Sequence, residues 1–340
     1  MALQTLWFVL WGLLWAVYFM LDGFDFGAGM LRMFLARDET DKVVSLTAIG
    51  PVWNGNEVWL ITAGGATFAA FPGAYASMFS FLYLPMLLIL LSLIIRGVAI
   101  EFRGKDESPR WRSGWDWALA ITSLTAPLVL GLGFGNIFQG LRFDATGYHG
   151  TFWGLFNPFG LLTAVLFVLL FLQHGALWLG YKTEGALSEG ARRTSGVLWY
   201  IVLIVAAGFL VLTGFSTRLY DNYLSHPGWI IVPALAVATL VGVKVLAGRP
   251  LAAFLSSCLT ILLVMATALV GLFPSLIPSA MDPASNLTIY NSSSGQYTLR
   301  LMAIVALVFV PIVVVYQFLV YRFFRSKTTR AEVAEGEGGY

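Results

Sequence analysis

A few polar side chains of this sequence sit inside apolar stretches, where each charge costs roughly 2.5–3.5 kcal/mol near a helix centre on insertion scales and so calls for a reason. Asp22 and Asp25 lie three apart in Leu21-Asp22-Gly23-Phe24-Asp25-Phe26-Gly27-Ala28-Gly29. On a helix this puts both carboxyls on one face, one turn apart, and the glycines around them let another helix come close. Such a pair suits a proton relay or a cation site; the competing reading is two acids that cap a broken helix or are hydrogen-bonded within a bundle. Asn54 and Glu57 share a face in the same way in Trp53-Asn54-Gly55-Asn56-Glu57-Val58-Trp59. Glu57 stands one to two turns into its helix, a setting suited to proton uptake and release, or to plain stabilisation by the helix dipole. Arg96 is deep enough to need an acidic partner, either Glu57 or an anionic group on another subunit or cofactor, unless it snorkels to the surface. Glu101 and Lys105 have the i, i+4 spacing of an ordinary helical ion pair.

Histidine and cysteine are scarce. Of His149, His174 and His226 only His174 falls within an apolar stretch, and Cys258 is the single cysteine. Transmembrane haem takes axial ligands from His or Met, often two per haem, so this chain by itself does not furnish a bis-histidine site. A hydrogen-bonded histidine within a bundle is the simpler expectation. No Cys/His metal spacing and no Ser/His/Asp order is visible. Gly131-Leu132-Gly133-Phe134-Gly135 lies inside an apolar stretch and reads as close helix packing, not as a phosphate loop.

The elements that must position these residues follow from composition. The chain has 340 residues, of which 58% are apolar and 11% charged, with a mean hydropathy of +0.79. Soluble domains carry roughly 25% charged residues, so a polytopic membrane protein is expected. A net charge of +2 leaves no nucleic-acid footprint. No Lys or Arg precedes Arg32 and no small-residue cleavage site follows the first apolar run, so that run is expected to stay in the membrane and not to act as a secretory signal. A span needs about 20 mostly apolar residues. Nine stretches are expected to cross: 6–34, 52–71, 75–100, 115–138, 158–179, 196–214, 228–246, 251–272 and 299–321. Pro72-Gly73-Ala74 and Ala247-Gly248-Arg249-Pro250 are expected to be tight helix hairpins, and strand barrels are excluded by the lack of period-two alternation.

With nine spans, 17 of the 20 Lys and Arg residues fall on one side and only Arg142, Arg218 and Arg300 on the other. The positive-inside rule then puts the N-terminus outside and the C-terminus in the cytoplasm. The polar connection 274–298 lies outside, ordered on a partner or flexible, and the end of the chain from Arg322 onward reads as a cytoplasmic tail without a fold. The domain division is one transmembrane unit over 1–325 and a tail over 326–340.

At these residues the sequence resembles subunit II of the cytochrome bd-type quinol (ubiquinol/menaquinol) oxidases. The resemblance is carried by Asp22-Gly23-Phe24-Asp25, by the long block from Trp53-Asn54-Gly55-Asn56-Glu57 through Thr62-Ala63-Gly64-Gly65-Ala66, and by Phe68-Ala69-Ala70-Phe71-Pro72. Gly135-Asn136-Ile137-Phe138-Gln139-Gly140, Asn157-Pro158-Phe159-Gly160-Leu161-Leu162 and Pro274-Ser275-Leu276-Ile277-Pro278-Ser279 extend it to the last span. It implies an all-α fold of two four-helix bundles plus one peripheral helix, in a complex of the bacterial cytoplasmic membrane. That complex oxidises quinol and reduces dioxygen to water with protons from the cytoplasm, building a proton-motive force without pumping. It implies two b-type haems and one d-type haem in a partner subunit I and none ligated here, with no catalytic or metal-binding residue in this chain. Quinol, membrane lipid, a bound quinone and a small single-span subunit are the further partners it brings.

Carried over by position, the resemblance implies a proton route along the subunit interface, with Glu101 and Lys105 near its cytoplasmic entrance. Arg96 is a candidate to offset a haem propionate or an interface charge. The family pattern usually has Asp where this chain has Asn54, and an amide releases no proton; Glu57, one turn along, is the candidate replacement, with Asp22 and Asp25 as further members. Two other classes remain open: a proton- or ion-coupled transporter, which shares intramembrane acids, and a purely structural helix scaffold.

Overall fold

The computed structural model describes residues 2–335, and helices account for most of them. The first, α1 (Ala2–Leu35), runs 34 residues without a proline. At 1.5 Å per residue it is about 50 Å long, more than the roughly 30 Å hydrocarbon core requires. Asp38 ends the following turn and caps α2 (Glu39–Thr47), its side chain accepting from the Asp41 amide at 2.9 Å. Then come α3 (Trp53–Ala70), α4 (Pro72–Phe81) and α5 (Tyr83–Phe102).

Two features of this region differ from the sequence expectation. The turn is not 72–74: Phe71 alone separates α3 from α4, and Pro72 already opens α4, where its missing N–H is no loss. Nor is 75–100 unbroken. Pro85 lies in the first turn of α5 and has no amide to give the Phe81 carbonyl, so the helix divides at Leu82.

The rest of the chain forms α6 (Pro109–Gln139), α7 (Pro158–Lys182), α8 (Gly185–Ser216), α9 (Asp221–Ser225), α10 (Ile231–Val245), α11 (Pro250–Leu272), α12 (Gln296–Phe323) and α13 (Arg330–Ala334). A short hairpin joins β1 (Phe143–Asp144) to β2 (Gly147–Tyr148). A second pairs β3 (Ser275–Ile277) with β4 (Leu287–Thr288), Ser275 opposite Thr288 and Ile277 opposite Leu287. The long polar connection 274–298 is therefore ordered on its own chain. Ser294 fastens its far end to α3, donating from its amide to Ala70 O at 2.9 Å and from its hydroxyl to Ala69 O at 2.7 Å.

Among the described residues eight helices are long and apolar enough to cross a membrane: α1, α5, α6, α7, α8, α10, α11 and α12, with α5 and α10 counted together with adjoining 3-10 turns. The protein is multi-pass. The 18-residue α3 is missing from that set because Asn54, Asn56 and Glu57 occupy its first turns. Helix α1 lies centrally, packed on α3, α6, α7 and α11, while α7 pairs with α8 and α10 with α11. Gly27 of α1 and Gly175 of α7 make the closest approach: a Cβ on Gly27 would lie 2.8 Å from the Gly175 Cα. Helix α12 is the opposite case, for no residue of its most apolar stretch is buried.

The tail is folded at least through Ala334. Thr183 and Thr328 form a parallel bridge, and the Thr328 amide donates to Lys182 O at 2.7 Å. Thr329 and Glu332 close a capping box on α13, which packs on α2. The expectation of an unfolded tail is thus corrected for 326–335. Its basic residues, read only as orientation signals, find specific acids; residues 336–340 lie outside the described residues.

Candidate functional site

Helix α1 delivers Asp22 and Asp25 to a point where α3 and α5 also converge. Both acids are fully buried, as is Arg96 from α5. The Arg96 guanidinium reaches three carboxyls: Nη2 is 2.7 Å from Asp22 Oδ1 and 3.9 Å from Asp25 Oδ2, and Nη1 donates to Glu57 Oε1 at 3.0 Å. Its carbon sits 4.2 Å from the centroid of the Phe26 ring, a cation–π contact that covers one face of the charge. Of the three acids only Glu57 touches the surface, its side chain 22% exposed. Arg96 therefore meets its counter-charges within its own chain and has no exposed surface to offer a haem propionate, which favours the ion-pair reading over the interface one.

Asn56 ties this cluster to α12. Its Nδ2 donates to Asp25 Oδ2 at 2.7 Å, and its Oδ1 accepts from Gln317 Nε2 at 3.1 Å and from the Tyr321 hydroxyl at 2.8 Å. The Tyr18 hydroxyl lies against Asp22, while Oδ1 of Asp25 and Nε of Arg96 have no hydrogen-bond partner among the described residues. Buried polar groups are nearly always satisfied, so the cluster is a place that can take protons or water. With all groups ionised the cluster has a formal charge of −2, and taking up two protons would bring it to neutrality. Charge change by proton exchange is what the arrangement offers chemically.

The structure thus brings together Asp22, Asp25, Glu57 and Arg96, and leaves three other candidates apart. Asn54 is exposed on the far side of α3. The buried stripe of that helix runs through Trp53, Asn56, Ala63, Thr67 and Ala70, so Asn56, not Asn54, faces α1. Its place on that stripe of aromatic and small residues was the signal to find it by; i, i+3 spacing to Glu57 pointed to the wrong amide. Glu101 and Lys105 are both exposed and form no ion pair among the described residues, because α5 ends at Phe102 and residues 103–105 tighten into a 3-10 turn.

A second buried cluster escaped the sequence reading altogether. Asp116 of α6 is 1% exposed. Arg32 Nη1 lies 2.6 Å from its Oδ1, Arg103 Nε donates to the same oxygen at 2.5 Å, and Lys42 Nζ donates to Oδ2 at 3.0 Å. Glu39 flanks the group, accepting from Arg103 Nη2 at 2.6 Å. These cations had been counted only as markers of orientation.

Outside the membrane-spanning segments some charges are paired at the surface. Arg330 donates to Asp38 Oδ2 and Asp41 Oδ1, each at 2.5 Å, and its hydrogen bond holds the Asp38 carboxyl below the usual carboxylate range. At the other end the Thr146 hydroxyl, and then His149, hold Asp144 well below that range.

His174 is fully buried. Nδ1 is 2.6 Å from the Ser257 hydroxyl and Nε2 2.9 Å from Met20 O, so both ring nitrogens are engaged and neither is free for iron. The described residues contain no cluster of three His, Cys, Asp or Glu able to hold a metal.

A family profile described as cytochrome bd terminal oxidase subunit II matches residues 3–324. Subunit 2 of the cytochrome bd-I ubiquinol oxidase of Escherichia coli K12 is 35% identical, over 98% of this chain and 97% of that protein. Subunit 2 of the cytochrome bd ubiquinol oxidase of Bacillus subtilis is 35% identical, over 97% of this chain and 98% of that one. In fold, the chain is similar to the bd oxidase structure from Geobacillus thermodenitrificans, with a TM-score of 0.78 over 95% of this chain and 99% of that chain, at 22% identity.

Proposed function

The chain belongs to the cytochrome bd terminal oxidase subunit II family, and from that premise we propose that it assembles with a haem-bearing subunit I and conducts protons toward the site where quinol-derived electrons reduce dioxygen. The haems, two b-type and one d-type, are held by the partner; this subunit adds no redox step of its own. In this reading the complex takes its protons from the cytoplasm, does not pump, and sits in the bacterial inner membrane.

The topology we infer has nine crossings, α3 completing the eight apolar helices. Helices α1, α3, α5 and α6 form one four-helix bundle, α7, α8, α10 and α11 the other, and α12 stands beside the first. The N-terminus is outside and the tail cytoplasmic. Residues 1–325 act as one transmembrane unit. Gln317 and Tyr321 bonded to Asn56 support a close tie between α12 and the acid cluster.

The observation that carries the proton role is the set of three carboxyls around one buried guanidinium, with Glu57 alone at the surface. A proton enters on Glu57 and passes to Asp25 and Asp22 as their contacts with Arg96 rearrange, with Tyr18 and Asn56 lining the route. Glu101 and Lys105 are proposed as exposed charges near the entrance, not as an ion pair. The test is Glu57→Gln in the assembled complex. Quinol-driven oxygen consumption should fall about a hundredfold, the low end of what positioned acid–base groups contribute, with the haem absorption spectrum unchanged. Unaltered turnover with an unaltered pH profile would sink the proposal.

A further inference from the structure

Between α8 and the α10–α11 turn, at the Lys- and Arg-rich ends of the helices, lies a small groove unconnected to the acid cluster. Arg192 and Lys244 flank it, Ser195 is on its inner wall, and Trp199, Val243 and Ala253 make its apolar side. Neither cation forms an ion pair among the described residues. Arg192 uses Nε on Gly180 O at 3.3 Å, leaving its two terminal nitrogens without a partner. Lys244 is held by aromatic faces and not by an acid: Nζ is 4.7 Å from the Tyr200 ring centroid and 5.9 Å from that of Trp199. Trp199 is itself fixed, its indole N–H donating to Leu240 O at 2.7 Å.

Ser195 is the second, independent observation. It is only 5% exposed, lines the groove, and its hydroxyl has no hydrogen-bond partner among the described residues. A serine hydroxyl open to the groove beside two cations with no counter-ion is a site short of one anionic acceptor. The enclosed part measures about 50 Å³. Since a water molecule accounts for roughly 30 Å³ of liquid volume, that is room for one or two phosphoryl oxygens, with the rest of the group at the mouth.

We propose that this groove binds the phosphate of an anionic phospholipid, between Arg192 and Lys244 and against the Ser195 hydroxyl, with the glycerol at the mouth beside Trp199 and the acyl chains along the exposed Tyr200 and Val245. A lipid fits better than a free anion because exposed apolar side chains, Tyr200 and Val245, flank Lys244 at the mouth of the same groove. Basic pockets between transmembrane helices recognise anionic headgroups in this way. The site is independent of the proton route.

The whole complex, stripped of lipid in detergent, is titrated with phosphatidylglycerol, phosphatidylcholine and inorganic phosphate, and bound lipid is counted by native mass spectrometry. Wild-type complex should hold one phosphatidylglycerol that the double variant Arg192→Gln/Lys244→Gln binds about tenfold or more weakly, with phosphatidylcholine binding unchanged. Ser195→Ala should weaken it a few-fold. Both cations are exposed, so the double variant should keep the haem spectrum and melting temperature of the wild type, which separates lost binding from lost folding. Equal retention of the two lipids by wild type and variant overturns the proposal. Displacement of phosphatidylglycerol by millimolar phosphate overturns the lipid assignment in favour of a free-anion site.

Discussion

Two buried charge clusters share α1 and have inverse compositions. Around Arg96 one cation meets three carboxyls; around Asp116 one buried carboxylate meets Arg32, Arg103 and Lys42. The difference matters because the two kinds of group answer a surplus of charge differently. A carboxylate can take a proton, so the acid-rich cluster can vary its charge in place. A guanidinium stays charged under all ordinary conditions, so the base-rich cluster is locked and depends on Asp116. Its hydrogen bonds reach both oxygens of that residue, whereas Oδ1 of Asp25 in the acid-rich cluster has no hydrogen-bond partner among the described residues. One cluster is built to hold helices together and the other to change state.

The sharpest way to break this contrast is Asp116→Asn. Arg32 and Arg103 then lose their shared counter-charge in a buried site and cannot neutralise themselves, although Arg103 keeps Glu39. Removing one partner of a buried ion pair costs about 3–5 kcal/mol, and the expected result is a large drop in melting temperature or loss of assembled complex from the membrane. Arg96→Met should cost less, about 1–3 kcal/mol, because the three carboxyls it leaves behind can bind protons. The sign follows. Without Arg96 the acids repel one another while ionised, so lowering the pH restores part of the lost stability, and the melting-temperature gap to wild type should narrow from pH 8 to pH 6. A gap that widens, or an Arg96 variant worse than the Asp116 variant at every pH, would reverse the assignment of roles.

The smallest effect is expected at the exposed clamp of the tail. Asp38 has a carboxyl held below its usual range by Arg330. Its contribution is therefore complete above the ordinary carboxylate range and is lost only as the pH falls through the depressed value. Between pH 6 and 8 the clamp should not respond to pH, whereas salt should weaken it. Arg330→Ala should speed limited proteolysis near 325–330 and leave the melting temperature of the helices in place. A pH-dependent clamp in that interval would mean that other groups hold the tail.

Much of the architecture was legible because a bilayer imposes length and hydropathy on each span. The apolar runs at 158–179 and 251–272 lie within α7 and α11 almost end to end. The break at Leu82 was harder to see: the run 75–100 is apolar on both sides of it, and only the placement of Pro85 one turn in decides where the helix must divide. The tail was misread because its mixed basic and acidic composition looks like a solvated chain, while its anchor points, Lys182, Thr183, Asp38 and Asp41, are more than 140 residues away in sequence.

Sequence alone determined that the chain is a membrane protein, that Asp22, Asp25, Glu57 and Arg96 need explaining, and that one histidine within an apolar stretch does not make a bis-histidine site. Those conclusions rest on composition and local spacing, which do not depend on how the helices meet. Only the tertiary structure decided that the four residues form one cluster, that Asn56 and not Asn54 joins it, and that Asp116 gathers three cations. The physical reason is that a helix period says which residues share a face, while the choice of face to bury is made by packing against the neighbouring helices, here by the glycine contact of α1 with α7 and the aromatic and small-residue stripe of α3.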